Sequence, residues 1–222
     1  MKDLLRQVFT ATLRDLDLGR LMARGVDTVR TEVGTHGRAL VIAFGKAALG
    51  MARELLHGLP DVRWRGLVVT PAPDTASLPP FEGIAAGHPL PDAGSLRAGQ
   101  RALELAHEVA PDEVVVFLAS GGGSALLEWP VDGMATLDEV RGLYRALVAC
   151  GADIVAINTV RKHLSAVKAG RLALAAANAH ALVTLMLSDV PDRTGAAVAS
   201  GPSVPDHTTT ADCRRILDDF GL

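Results

Sequence analysis

Three glycines between two serines directly follow the most apolar segment of the chain. That segment, 113–119, reads EVVVFLA, and the residues after it are Ser120, Gly121, Gly122, Gly123 and Ser124. Glycines adopt backbone conformations that let several N–H groups converge on one point, as an anion nest or an oxyanion site requires. The run has neither the GxGxxG spacing of a dinucleotide site nor the upstream glycine of a nucleophile elbow. The pattern favours an anion-binding loop over a plain turn.

A lysine follows a second apolar segment, 38–44, which reads RALVIAF. Gly45 and Lys46 stand where this segment gives way to helix-forming residues. The free N–H groups and the helix dipole at a strand-to-helix turn favour an anion, and a lysine adds positive charge. The turn is not a Walker A loop, because alanine follows Lys46 and the upstream glycine is missing. A phosphate site and a solvated surface lysine remain equally open.

Cationic side chains recur through the segment 154–177. At about 100° per residue, one face of a helix here carries Val160, Leu164, Val167 and Leu174. The opposite face carries Asn158, Arg161, Lys162, Ser165 and Lys168. We expect the apolar face to pack and the polar face to form a cationic stripe. On spacing alone, a solvated helix face is favoured over a binding site.

A carboxylate and two loops complete the candidate chemistry. Asp189 follows the apolar segment 181–187, where it could ligate Mg²⁺, accept a hydroxyl proton or cap a turn. The loop 88–92, HPLPD, is made rigid by its prolines and has polar tips, and 199–202, ASGP, is a second loop of small residues.

The elements that must position these residues alternate in type. We expect strands at 38–44, 64–70, 113–119 and 181–187, with a possible short strand in 81–87. Helices are expected through residue 56 after the turn at Lys46, at 95–109, at 137–150, over 154–177 with one possible break, and from about 211 after the N-cap candidates 208–210. This alternation indicates an α/β layer fold with a mainly parallel sheet. Ligands of such folds bind at the carboxyl ends of the strands, which here are 45–46, 120–124 and 188–189.

The first residues of the chain predict one further helix. Leu4, Leu5, Val8 and Leu13 recur at three-to-four spacing, and we expect this apolar face to pack against the rest of the fold. Charged residues interrupt the segment, so we expect it to lack the apolar core of a signal peptide.

Composition narrows the class of protein. Of 222 residues, 49% are apolar and 21% are charged, which excludes disorder and allows a sizeable core. A formal net charge of −3 without a long basic run argues against nucleic acid or an anionic membrane as the main partner. Two distant cysteines, Cys150 and Cys213, fit neither a disulfide scaffold nor a zinc site. We expect a cytoplasmic protein without a membrane span.

Six motifs occur in one order along nearly the whole chain: FGKAALGMA, AGHPLPDAGS, SGGGSALLE-P, INTVRKHLSAVKAGRLA, SDVP and ASGPSVPD-TT. Together they resemble the N-terminal domain of the glycerate 2-kinase family, some members of which carry an older hydroxypyruvate reductase label. The resemblance implies that residues 1–222 form one Rossmann-like domain, a three-layer αβα sandwich. It also implies a separate C-terminal domain, absent here, with the active site in the cleft between the two.

The resemblance implies ATP- and Mg²⁺-dependent phosphorylation of the 2-hydroxyl of D-glycerate, giving 2-phosphoglycerate. The family's functional positions fall on Lys46, the loop 120–124, Asp189 and the basic helix motif. From that motif we take Asn158, Arg161 and Lys168 as the residues that bind phosphate or substrate. Lys46 and Asp189 would be catalytic, with Asp189 also a candidate metal ligand.

Two motifs depart from the family pattern. The usual SDV-x-Gly-Asp-Asp-Pro is replaced over residues 191–195 by PDRTG, which puts a cation, Arg193, near the presumed metal site. The usual Lys-Gly-Gly reads Lys168-Ala169-Gly170.

Three readings remain open. The first is a glycerate 2-kinase domain that is an incomplete catalytic unit and needs its C-terminal domain or self-association. The second is a non-catalytic truncated homologue that binds an anionic metabolite or a partner. The third is an NAD(P)-dependent hydroxypyruvate reductase, which the missing GxGxxG motif disfavours.

Overall fold

The structure is a computed structural model that describes residues 1–15, 17–71, 78–131, 135–188, 195 and 198–222. Its strands are β1 (Arg38–Phe44), β2 (Arg63–Thr70), β3 (Glu82–Ala85), β4 (Val114–Ser120) and β5 (Ala181–Leu187). The helices before β4 are α1 (Lys2–Asp15), α2 (Leu18–Val33), α3 (Ala48–Gly58) and α4 (Ala93–His107). Those after it are α5 (Gly123–Leu126), α6 (Leu137–Ala149), α7 (Ile154–Leu164), α8 (Arg171–Ala175) and α9 (Thr210–Asp219), with a 3-10 turn at Val198–Ser200.

All five strands are parallel and pair in the order β3-β2-β1-β4-β5. The chain runs outward from β1 through β2 to β3, then returns to the other side of β1 to form β4 and β5. The strand order therefore reverses between β1 and β4, which pair with Phe44 opposite Ala119. In open α/β sheets, ligands bind in the crevice at this switch point.

Helices cover both faces of the sheet. Along β1, alternate side chains point to opposite faces, so Leu40, Ile42 and Phe44 join the core under α4 and α8. Ala39, Val41 and Ala43 join the core under α2 and α3. The predicted three-layer αβα sandwich with a parallel sheet is confirmed.

A smaller apolar cluster holds the last helix in place. It joins α6, α7 and α9 through Leu147, Ile157, Val160 and Cys213. Thr209 caps α9 in a reciprocal capping box with Asp212, as the threonines at 208–210 predict.

The packing predicted for the N-terminal helix is wrong. Helix α1 forms, but Leu4, Leu5 and Val8 are 63%, 64% and 57% exposed; the side chain of Leu13 lies outside the described residues. The physical reason is that α2 occupies the place over the sheet, where its buried Met22, Val26, Val29 and Val33 complete the core.

The faces predicted for the segment 154–177 are confirmed only in part, because Val160 and Val167 are buried as expected but other residues are not. The expected break occurs, since α7 ends at Leu164 and α8 begins at Arg171. However, Leu164 and Leu174 are exposed, whereas the polar residues Asn158, Lys162, Ser165 and Lys168 are buried. Ser165 leaves the helix in an extended conformation and bridges to Pro130, so the residues after it do not continue the helical phase.

No helix in the described part of the chain is long and apolar enough to cross a membrane.

Candidate functional site

Two of the predicted strand-end sites form one site at the switch point. The backbone N–H of Lys46 donates to the carbonyl oxygen of Gly121 at 2.9 Å. The N–H of Ala47 donates to Ser120 Oγ at 3.0 Å. These bonds join the turn after β1 to the glycine-rich residues 120–124, which we call the glycine loop. Neighbouring parallel strands end at the same edge, so the sheet topology brings the two together.

Glycine is required where these two segments meet. Gly45 has a φ of +121°, and a Cβ atom there would lie 2.2 Å from Ser120 Oγ. Within the glycine loop, Gly122 adopts the left-handed conformation with a φ of +88°. These positions therefore require glycine because the backbone and neighbouring side chains approach closely, and not because the segment is a flexible linker.

Two basic side chains lie over Gly122. A Cβ atom built at this glycine would lie 3.1 Å from His88 Nε2 and 3.4 Å from Lys46 Cε. Burial lowers the pKa of His88, and the positive charge of Lys46 lowers it further. Sequence reasoning noted the loop of His88 but assigned the residue no role.

Behind the glycine loop lies a buried ion pair. Lys168 Nζ donates to Glu128 Oε2 at 2.6 Å and to the carbonyl oxygen of Leu127 at 3.1 Å. Both side chains are almost fully buried. Burial lowers the pKa of Lys168, although the charge of Glu128 and its hydrogen bond oppose that effect. The ammonium of Lys168 thus holds the segment that follows the glycine loop.

Tyr144 extends this group toward the loop. Its hydroxyl donates to Glu128 Oε2 and lies 3.3 Å from the carbonyl oxygen of Ser124. Burial, together with the charge of Glu128, raises the pKa of Tyr144 well above its ordinary value. Sequence reasoning missed Glu128 and Tyr144, although a lone glutamate inside the apolar run ALLEWP was an available signal.

Arg161 lies against the same tyrosine. The guanidinium carbon of Arg161 is 4.2 Å from the centre of the Tyr144 ring, a cation–π contact. Its Nε is buried and has no hydrogen-bond partner within the described ranges. Burial lowers the pKa of Arg161, yet a guanidinium keeps its charge in proteins. Lys168 therefore has a carboxylate partner, whereas Arg161 forms no ion pair with any described residue.

A second chain of hydrogen bonds fastens the loop to helix α7. Ser124 Oγ lies 2.9 Å from Ser200 Oγ, and Ser200 Oγ donates to Asn158 Oδ1 at 3.1 Å. Ser200 and Ala199 have φ values of +60° and +52°, which non-glycine residues adopt at a cost. Ala199 is also in close contact with Gly123, because a Cβ on that glycine would lie 2.5 Å from Ala199 Cβ.

The structure thus brings most of the predicted site residues to one region. Lys46 meets the glycine loop directly, Asn158 reaches it through Ser200, and Arg161 and Lys168 reach it through Tyr144 and Glu128. Asp189 and residues 191–194 lie outside the described residues. Within the part that is described, no group of three His, Cys, Asp or Glu side chains is placed to hold a metal ion.

Comparison with known proteins identifies the family. A family model described as "Domain of unknown function (DUF4147)" matches residues 4–222. The chain belongs to the DUF4147 family. A D-glycerate 2-kinase of Thermotoga maritima is 41% identical to this DUF4147 chain over 83% of it and 44% of the relative. A protein of Agrobacterium vitis, provisionally named a hydroxypyruvate reductase, is 44% identical over 84% of this chain and 42% of its own.

A solved structure agrees with these sequence matches. The crystal structure of a glycerate kinase from Thermotoga maritima superposes with a TM-score of 0.87 at 36% identity, over 100% of this DUF4147 chain and 52% of the other. The resemblance to the glycerate 2-kinase family that the six motifs indicate is therefore confirmed. The chain spans about half the length of the curated relatives it matches.

Proposed function

We propose that this chain supplies the phosphate-binding part of a glycerate 2-kinase. That enzyme transfers the γ-phosphoryl group of ATP to the 2-hydroxyl of D-glycerate and forms 2-phosphoglycerate. The observation that best supports the proposal is the meeting of Lys46 with the glycine loop at the switch point. Phosphoryl transfer depends mainly on positioning and on neutralising charge, and a lysine beside a glycine-rich loop suits both.

The residues around Gly122 fit a phosphate group. Two basic side chains lie on the side of this glycine that a Cβ atom would fill, and no described carboxylate pairs with Lys46. When bound, ATP with Mg²⁺ supplies the phosphoryl group and a divalent charge on its oxygens. We assign to Lys46 the neutralisation of phosphate charge, and to the N–H groups of residues 120–124 hydrogen bonds to its oxygens. Asp189 is proposed as the metal ligand or as the group that orients the attacking hydroxyl.

Arg161 is the residue we propose for the carboxylate of D-glycerate. A guanidinium can bind a carboxylate with two parallel hydrogen bonds. The guanidinium of Arg161 packs over the Tyr144 ring, and Arg161 has no described carboxylate partner to displace. Asn158 and Lys168 then act by positioning the glycine loop, through Ser200 and through Glu128.

We further propose that a C-terminal domain completes the active site, so that this chain alone is an incomplete catalytic unit. The lengths of the relatives support this, because the chain spans 44% of the D-glycerate 2-kinase and 52% of the glycerate kinase structure. A reaction in a cleft needs both walls to position the two substrates.

A coupled assay of ADP release tests the function. We expect release that depends on D-glycerate from a longer form carrying a second domain, and little from residues 1–222 alone. In the longer form, Lys46→Ala should lower kcat by about 100-fold or more, the loss typical of removing one charge-stabilising group. Lys2→Ala, on the exposed start of α1, is the matched control.

The same assay contains the results that would contradict the proposal. Without glycerate-dependent ADP release from the longer form, the kinase assignment fails. Normal kcat in Lys46→Ala would remove the phosphate role of that lysine. Unchanged turnover in Asp189→Asn would remove Asp189 from both of its proposed roles.

A further inference from the structure

The loop that carries His88 reaches the switch point from a third part of the chain. It connects β3 to α4, whereas Lys46 follows β1 and Gly122 follows β4. Three segments distant in sequence thus bring a lysine, a histidine and a left-handed glycine to one place. Such convergence comes from tertiary structure and not from local sequence.

The position of His88 is fixed by a tightly anchored loop. Gly87 donates its N–H to Ser95 Oγ at 3.2 Å, and a Cβ on Gly87 would lie 2.4 Å from the carbonyl oxygen of Leu90. At the other end of the loop, Asp92 accepts the N–H of Ser95 at 2.9 Å and forms a capping box at the start of α4. The backbone that carries His88 is therefore fixed by hydrogen bonds between this loop and Ser95 of α4, and its imidazole lies beside Gly122.

The electrostatics of this place favour a bound anion. Lys46 is the charged group whose field acts on the His88 ring, and it disfavours a second positive charge there. The glycine loop, residues 120–124, carries no charged side chain. Asp92, on the same loop as His88, is occupied by the N-terminus of α4. An anion between the two basic groups would remove the repulsion and favour a proton on His88.

We infer that His88 is a phosphate-binding residue which, with Lys46 over Gly122, forms a cradle for a di- or triphosphate group and takes up a proton when that group binds. The inference rests on the proposed function, since it names a further residue and a proton for the same site. Neutral His88 leaves the free site with one cation, and the protonated ring matches the additional negative charge of the bound polyphosphate.

Histidine NMR on residues 1–222, titrated with inorganic pyrophosphate, tests the inference. The chain has seven histidines, and the His88 resonance is the one that His88→Gln removes. Saturating pyrophosphate should raise the pKa of His88 by about one unit or more, because an opposite charge at hydrogen-bonding distance has that effect. By linkage, the wild-type chain should gain about tenfold in pyrophosphate affinity between pH 8 and pH 5, relative to His88→Gln.

Two variants sharpen the test. Lys46→Ala should raise the pKa of His88 in the free protein and weaken pyrophosphate binding at every pH, because one positive charge is lost. His57→Gln, on the exposed face of α3, is the matched control and should bind as the wild-type chain does.

Three outcomes would overturn the inference. The first is that the chain does not bind pyrophosphate at millimolar concentration. The second is that pyrophosphate leaves the pKa of His88 unchanged. The third is that His57→Gln and His88→Gln change the affinity for pyrophosphate equally. Failure of the kinase is distinguishable, because pyrophosphate binding is measured without D-glycerate. If pyrophosphate raises the pKa of His88 but the longer form releases no ADP with D-glycerate, the anion site is supported and the proposed kinase reaction is not.

Discussion

Glu128 and Lys168 form an ion pair at 2.6 Å in which the two side chains are 4% and 0% exposed. Lys168 also donates to the carbonyl oxygen of Leu127, and Glu128 accepts a hydrogen bond from Tyr144. The pair therefore ties α6 and the segment after α7 to the residues that follow the glycine loop. Its role is to set the position of that loop from behind.

Breaking this pair should destabilise the protein strongly. Lys168→Met leaves the Glu128 carboxylate buried without its cation, so we expect a loss of about 3–5 kcal/mol in the free energy of unfolding. The double variant Glu128→Gln/Lys168→Met should lose less than the two single variants together, because it leaves no uncompensated charge. Urea unfolding measures both quantities.

An exposed ion pair provides the control. Arg215→Met breaks a pair at the surface of α9, where the two side chains are 68% and 40% exposed, and should leave stability nearly unchanged. If Lys168→Met were as mild as Arg215→Met, the ion pair would have no role in holding the loop.

Arg161→Lys should weaken substrate binding specifically. A lysine keeps the charge but loses the guanidinium contact with the Tyr144 ring and the ability to form paired hydrogen bonds to a carboxylate. In an active longer form we expect the KM for D-glycerate to rise about 10- to 100-fold, the value of a hydrogen bond to a charged group, with a smaller change in kcat. Arg145→Lys, exposed on α6, should leave KM unchanged. An unaltered KM in Arg161→Lys would assign the glycerate carboxylate to another residue.

Ala169→Gly should stabilise the chain. Ala169 has a φ of +58°, where an alanine is disfavoured by its Cβ atom and glycine is not. This conformation also explains why the glycerate 2-kinase pattern has glycine after the lysine. We expect thermal or urea unfolding to show that the free energy of unfolding rises by about 0.5–1 kcal/mol. Ala146→Gly, inside α6, should instead lose about 1 kcal/mol; equal losses in both variants would contradict the strain.

Asp206 should contribute to stability only above acidic pH. Burial alone would raise the pKa of Asp206, but hydrogen bonds from Thr208 and the charge of Lys162, 3.4 Å away, outweigh it and lower the pKa below 3.8. A lowered pKa adds stability above the unfolded value, and that stability is lost as pH falls through the folded value.

Comparison of wild type with Asp206→Asn measures this contribution. The difference in the free energy of unfolding should be constant above about pH 5 and shrink as pH falls below 3.8. Asp219→Asn, which removes an exposed carboxylate at the end of α9, is the matched control. A difference that grows on acidification would reverse the sign and contradict the assignment.

The strands could be predicted because each is a short apolar segment between polar or loop-forming residues, a pattern that the local sequence shows directly. The bounds of β1 and β5 are the predicted ones. β1 is buried on both faces and is therefore an almost uninterrupted apolar run. β5 is a mostly half-buried edge strand, and its apolar residues still stand out between the polar residues His180 and Ser188. Lys46 and the glycine loop followed from those strands, because each lies directly after a strand end.

The partners of the charged residues were not predictable in this way. Helical spacing predicts that Lys168 is a solvated cation. The residue is instead buried, because its ammonium pairs with the carboxylate of Glu128, forty residues away. His88 likewise comes close to Lys46 and Gly122 only in the folded chain. Such pairings depend on which loops the sheet brings together, and one-dimensional periodicity carries no information about them.

The hydrogen bond from Ala47 to Ser120 joins residues 73 positions apart, and β2, β3 and α4 are formed by the chain between them. Closing so large a loop gives the switch point a high contact order, so it assembles only when β1 and β4 have paired. An unfolded or half-folded chain has no site for the anion, and ligand binding therefore stabilises the native state alone. When the anion binds, the amides of β1 and β4 should therefore exchange hydrogen more slowly, including those that make no contact with the anion.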